Sequence, residues 1–121
     1  MDTHVVASGG SLEMYIQKGQ TSLAWILGET DSAKFDEIEG SLSDNFYYDV
    51  SFIQSYTGNA IHVAPQMAAG QSMTKGCSIV GCDANASLST CPGVYWNDHM
   101  GNPDHACVYD TIDSMAINLC T

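Results

Sequence analysis

From residue 46 the chain alternates: Phe46, Tyr48, Val50 and Phe52 fall on one side of an extended segment, and Tyr47, Asp49 and Ser51 on the other. A period of two sends one set of side chains to a core and the other to water, the mark of a half-buried strand. Residues 46–53 form the strongest such segment. Residues 11–18 alternate as regularly, Leu12, Met14 and Ile16 against Glu13, Tyr15 and Gln17, and are bounded by Gly9-Gly10 and Gly19. Residues 22–27 are a short apolar run closed by Gly28, a more buried strand, and residues 35–42 a weaker one carrying Asp36, Glu37 and Glu39. Ser43-Asp44-Asn45 marks a turn into the 46–53 segment. Thr57-Gly58-Asn59 turns the chain into residues 60–64, which Pro65 is expected to stop because it offers no N–H. Residues 66–75 and 97–105 read as loops. Ser78-Ile79-Val80 is a short apolar piece, residues 83–91 allow one helical turn at most, and residues 111–119 alternate again. No stretch sustains a 3.6-residue period. Short strands separated by turns make an all-β sandwich or flattened barrel, one domain over residues 1–121.

Composition narrows what such a domain can do. Fourteen acidic residues face three lysines and no arginine, a net charge of −11. Neutralising phosphates takes clusters of Lys and Arg, so no nucleic-acid partner is expected, and anionic membranes are disfavoured for the same reason. No stretch approaches the ~20 apolar residues of a spanning helix, so no membrane insertion is expected. Cations, basic proteins and neutral glycans remain as partners. Five cysteines, Cys77, Cys82, Cys91, Cys107 and Cys120, sit in the last 45 residues. In a small chain that is a disulfide framework of a secreted protein; a zinc site is disfavoured by the absence of a Cys-x2-Cys pair. Met1-Asp2-Thr3-His4 has neither the basic region nor the apolar run of a signal peptide. The expectation is therefore that a signal has been removed ahead of this sequence. Asn85-Ala86-Ser87 is an N-glycosylation acceptor triplet, in keeping with secretion.

Several of these motifs, in order, resemble the thaumatin-like (osmotin-like) superfamily. They are a Glu-bearing strand at residues 35–42, Phe46-Tyr47-Tyr48-Asp49-Val50-Ser51, Gly76-Cys77-x4-Cys82, Cys91-Pro92-Gly93-Val94-Tyr95, Cys107, and a terminal strand ending at Cys120. The resemblance covers about residues 11–121 and is nearest to the small secreted fungal branch, the antigenic thaumatin-like or yeast-phase-specific proteins. It implies a thaumatin-like sandwich without the loop domain of plant members. It also implies disulfides Cys77–Cys107 and Cys82–Cys91, with Cys120 left unbridged because its family partner lies in a first strand that this sequence lacks. A second register, matching Cys91 to the family's next Cys-Pro, would break the Cys82–Cys91 pair; Tyr95 and the spacing to Cys107 favour the first. Sequence alone does not select among connectivities.

The resemblance further implies an acidic cleft built from one Arg, one Glu and three Asp. Here Glu37 (or Asp36, in a register one residue different) and Asp49 match, and Tyr95 stands beside them as a ligand-binding candidate. Gln54 and Gly93 occupy positions where the family has Asp, and no arginine is present. Glycoside hydrolysis needs a protonated and an ionised carboxyl at a set separation, so the depleted set points away from catalysis. The competing reading makes Glu37 and Asp49 merely the wet face of half-buried strands. Tyr47, Tyr48, Tyr56, Tyr95, Trp25 and Trp96 could stack on sugars, Tyr95-Trp96 being the better surface candidate, although strand aromatics more often fill cores. Asp98-His99 and Asp104-His105 carry zinc-ligand types in one loop, but without a packed third ligand they read as a polar loop. No cofactor or catalytic residue is expected. The expected role is that of a secreted fungal protein acting without enzymatic activity on a host surface protein or cell-wall glycan, of the effector, elicitor or antigen type. The alternatives are a β-1,3-glucan-binding or weakly hydrolytic module using the acidic cleft, and a metal-dependent binder.

Overall fold

The alternating 46–53 segment becomes an interior strand of a sheet. The computed structural model describes residues 3–7, 10, 12–101 and 104–119. Among them seven strands run in the order β1 (Leu23–Leu27), β2 (Asp36–Leu42), β3 (Asn45–Ser51), β4 (Ile61–Met67), β5 (Val80–Cys82), β6 (His105–Val108) and β7 (Ile112–Leu119), with a single 3-10 turn at Tyr109–Thr111. One sheet has the order β1-β2-β3-β6 and the other β5-β4-β7, and every pairing is antiparallel. The fold is therefore all-β and two-layered.

Between the layers lie Ile38, Leu42, Phe46, Tyr48 and Val50 from the first sheet and Ile61, Val63, Val80 and Cys82 from the second, all buried. These are the period-two positions, so the alternation of β2 and β3 sets which face each strand turns inward. Trp25 on β1 lies over Gly40, where any Cβ would come within 2.9 Å of its ring and 3.1 Å of Phe46; the missing side chain makes room for both rings. Two disulfides complete the frame. Cys77–Cys107 ties β6 of the first sheet to the loop before β5 of the second, and Cys82–Cys91 fastens β5 to the loop that follows it. These are the pairs the resemblance implies; Cys120 lies outside the described residues.

Several sequence expectations need correction. No strand forms over residues 12–18, where Leu12 and Met14 are about half exposed; Ser11 lies outside the described residues. The alternation there is real, but a strand also needs a ladder partner. The segment packs Ile16 against the core and hydrogen-bonds to the sheet at its end, where Gly19 N–H donates to Leu42 O and Leu42 N–H to Gln20 O. Pro65 does not stop β4, which runs on to Met67. β5 pairs with β4 only as far as Val63↔Val80, so beyond it one side of β4 carries no strand, a place that admits a residue without an N–H. β3 ends at Ser51, before residue 53, although Phe52 stays buried and donates its N–H to Tyr95 O. His105 opens β6 and does not belong to a loop.

Candidate functional site

The outward face of the first sheet gathers carboxylates. β2 and β3 form a hairpin centred on Asp44, so residues equidistant from it stand opposite one another: Ser41 faces Tyr47, Glu39 faces Asp49 and Glu37 faces Ser51. Alternation keeps Glu37 and Glu39 on the side away from buried Ile38, and Asp49 on the side away from buried Tyr48 and Val50. Glu37 and Asp49 therefore share a face on neighbouring strands. Opposite residues in an antiparallel pair hold their Cβ atoms about 5 Å apart, so Glu39 lies close enough to act on the Asp49 carboxyl. On the other flank β3 pairs with β6 up to Tyr48↔His105, which brings Asp104 in beside Asp49. The four carboxylates line an open groove of about 350 Å³ with Ser22, Ala24 and the half-exposed Tyr47.

Tyr95 reaches this cluster from a loop that adds itself to β3. Its backbone bridges Ser51, donating N–H to Val50 O and accepting from Phe52 N–H. Its hydroxyl then donates to Asp104 Oδ1 at 3.0 Å. Burial, with Asp104 as hydrogen-bond acceptor and negative neighbour, pushes its pKa up to about 12, so the phenol stays protonated.

Burial first, and crowding of like charge second, raise the pKa of two of these carboxyls. Among the described residues no salt bridge joins Glu37, Glu39 or Asp49 to a cation. Burial, then the charges of Glu39 and Asp104, raise the Asp49 pKa to about 7, and one of its oxygens, Oδ1, is buried without a hydrogen-bond partner among the described residues. Glu39 is raised as well, by burial and by Glu37. Near neutrality the groove thus holds a carboxyl that can donate as well as carboxylates that accept, a set suited to a polyhydroxylated ligand.

The sequence candidates distribute unevenly over this geometry. Glu37, Asp49 and Tyr95 come together. Asp36 does not join them: it points inward, 3 % exposed, and accepts from Thr57 N–H at 3.0 Å and Thr57 Oγ1 at 2.7 Å. The register that would have made Asp36 the cleft residue is therefore wrong, because it belongs to the buried face of β2. Trp96 is not a surface partner for Tyr95 either. Its ring packs edge-on against Phe52 and Tyr56, centroids 4.8 and 5.1 Å away, and its Nε1–H donates to Cys91 O. Gln54 and Gly93 are exposed residues outside the groove lining. The two Asp-His pairs separate: Asp98 and His99 form an exposed local pair at 3.3 Å, Asp104 goes to the groove, and His105 packs its ring 5.6 Å from Tyr48. Among the described residues no three His, Cys, Asp or Glu side chains converge as a metal site. Glu39 and Asp104 are the groove residues that sequence reasoning missed. A hairpin centred on Asp44 already implied that Glu39 faces Asp49; the approach of Asp104 depends on β6, which no pattern announced.

Searches against protein families, curated proteins and solved structures find no match to this chain.

Proposed function

We propose that this chain is a secreted, disulfide-linked domain that binds a neutral, hydroxyl-rich glycan across the outer face of its four-stranded sheet, without cleaving it. The observation that carries this reading is the convergence of Glu37, Glu39, Asp49 and Asp104 in an open groove with Tyr47 on its wall. Carboxylates on a flat sheet accept hydrogen bonds from vicinal hydroxyls, and an exposed tyrosine offers a face for a sugar ring. The resemblance to small fungal thaumatin-like proteins supports the same reading, with a cell-wall or host-surface glycan as target and an effector, elicitor or antigen role. Secretion is supported by the two disulfides, which persist in oxidising compartments.

Binding is favoured over hydrolysis by the depleted acidic set: Gln54 and Gly93 stand where the resemblance expects carboxylates, and no arginine is present to hold one partner ionised. A second reading has one specific observation in its favour. Asp49, with a pKa of about 7, has the profile of a general acid, and Glu37 or Glu39 would serve as its base. Incubation with a β-1,3-linked gluco-oligosaccharide separates the two. Saturable binding without new reducing ends is the expected result; new reducing ends that disappear in Asp49→Asn would establish hydrolysis instead.

A further inference from the structure

The acceptor triplet Asn85-Ala86-Ser87 plays no part in the groove. It follows β5 on the loop closed by Cys82–Cys91. Asn85 sits at a turn with a left-handed backbone, φ 57°, a conformation Asn adopts more readily than most residues. The backbone around it is anchored: Asn85 N–H donates to Gly58 O, Ala86 N–H to the Tyr56 hydroxyl and Ser87 N–H to Thr90 Oγ1, all between 2.8 and 2.9 Å. The Asn85 side chain itself is exposed and forms no hydrogen bond with the described residues. Rigid backbone beneath a free carboxamide lets a large substituent attach without disturbing the fold.

Beside it lies a cavity of about 310 Å³, lined by His62, Asp83, Asn85, Thr90 and the Cys82–Cys91 disulfide. His62 Nε2 lies 3.3 Å from Asp83 Oδ1, so polar groups are already arrayed there. None of the residues lining this cavity lines the acidic groove.

We propose that Asn85 carries an N-linked glycan whose first sugar seats over this cavity and shields the Cys82–Cys91 disulfide. The donor is a lipid-linked pyrophosphate oligosaccharide. A bond forms between Asn85 Nδ2 and C1 of the sugar, the bond from C1 to the pyrophosphate oxygen breaks, the amide proton passes to a base of the transferase, and the lipid pyrophosphate leaves; no electrons are exchanged. The inference rests on passage through a secretory compartment, and the test separates the two claims.

The full chain is expressed behind a cleavable signal in a eukaryotic cell, as wild type, Asn85→Gln, Ser87→Ala and Ser87→Thr, and the disulfides and residue 85 are mapped by mass spectrometry. The expected result is secreted wild type with both disulfides and a glycan on Asn85. The glycan is absent from Asn85→Gln and Ser87→Ala, retained in Ser87→Thr, and released by peptide N-glycosidase with conversion of Asn85 to Asp. Secreted, correctly oxidised wild type with unmodified Asn85 overturns the glycosylation and leaves secretion standing. A chain that is retained with neither pair formed overturns both. Seating is read from reduction kinetics: the Cys82–Cys91 bond should open several-fold more slowly in glycosylated protein than after enzymatic release, with Cys77–Cys107 unchanged. Equal rates would overturn the shielding.

Discussion

Asp49 occupies an outward position of β3, yet one of its oxygens is buried without a hydrogen-bond partner among the described residues, and carboxylates face it from β2 and from Asp104 ahead of β6. Its pKa rises from 3.8 to about 7, so the folded state holds this proton more tightly than the unfolded chain. The stabilising contribution is complete below about pH 4, declines as pH rises, and is gone above about pH 7. Asp49→Asn keeps the shape and removes the titration. Thermal melts between pH 4 and 8 should therefore show the variant gaining on wild type as pH rises. With solvent screening discounted, the gain at pH 8 should be about 1–2 kcal/mol. Tyr48 is the opposite case, a buried hydroxyl with its needs met: it donates to Ser78 O at 2.6 Å and accepts from Ser78 N–H at 3.0 Å. Tyr48→Phe strips both partners from Ser78 in the loop carrying Cys77 and should cost about 1–3 kcal/mol in denaturant unfolding.

At the scale of elements, β5 depends on a single glycine. Gly81 lies at φ 153°, and a Cβ there would collide with the Ile61 carbonyl oxygen of β4. Gly81→Ala should separate β5 from β4 and lower stability by at least about 1–3 kcal/mol, seen as loss of amide-exchange protection at Val80 and Cys82. This position also shows what the sequence could not convey. A glycine between Val80 and Cys82 reads as a weak point of a strand, and only the closeness of β4 turns it into a requirement. β2 and β3 were legible because each buries one face against a layer and so carries a period of two, whereas β7 buries no residue and was legible only from its apolar positions. Residues 12–18 carry the same period and form no strand, since alternation says which way side chains would point and nothing of whether a partner backbone is there. β6 is short and starts at a histidine whose ring packs on Tyr48, so no apolar run marks it. The acidic groove was half legible for the same reason: Glu37 and Asp49 lie on periodic strands, while Asp104 enters through β6.

The described residues are held by two layers and two covalent ties. Cys77–Cys107 closes a separation of 30 residues and crosses between sheets, whereas Cys82–Cys91 closes 9 residues within one region. Loop-closure entropy assigns the longer loop about 3.5 kcal/mol and the shorter about 2.5 kcal/mol. Replacing Cys77 and Cys107 together by Ala should accordingly lower the melting temperature more than replacing Cys82 and Cys91. Near-equal losses would place the greater strain or contact loss at the shorter loop. A net charge of −11 spread over such a small body repels polyanions and favours neutral or cationic ligands, which is consistent with a glycan partner. The outer face of β1, β2 and β3 is proposed to bind a glycan and to leave it intact. The most direct measurement is a titration of isotope-labelled protein with a β-1,3-linked gluco-oligosaccharide, followed by amide and anomeric nuclear magnetic resonance signals in one sample. Saturable shifts concentrated at Glu37, Glu39, Tyr47, Asp49 and Asp104 are expected, with the anomeric spectrum of the sugar unchanged over time. Shifts that avoid these residues at saturating sugar, or the growth of new reducing-end signals, would contradict the proposal.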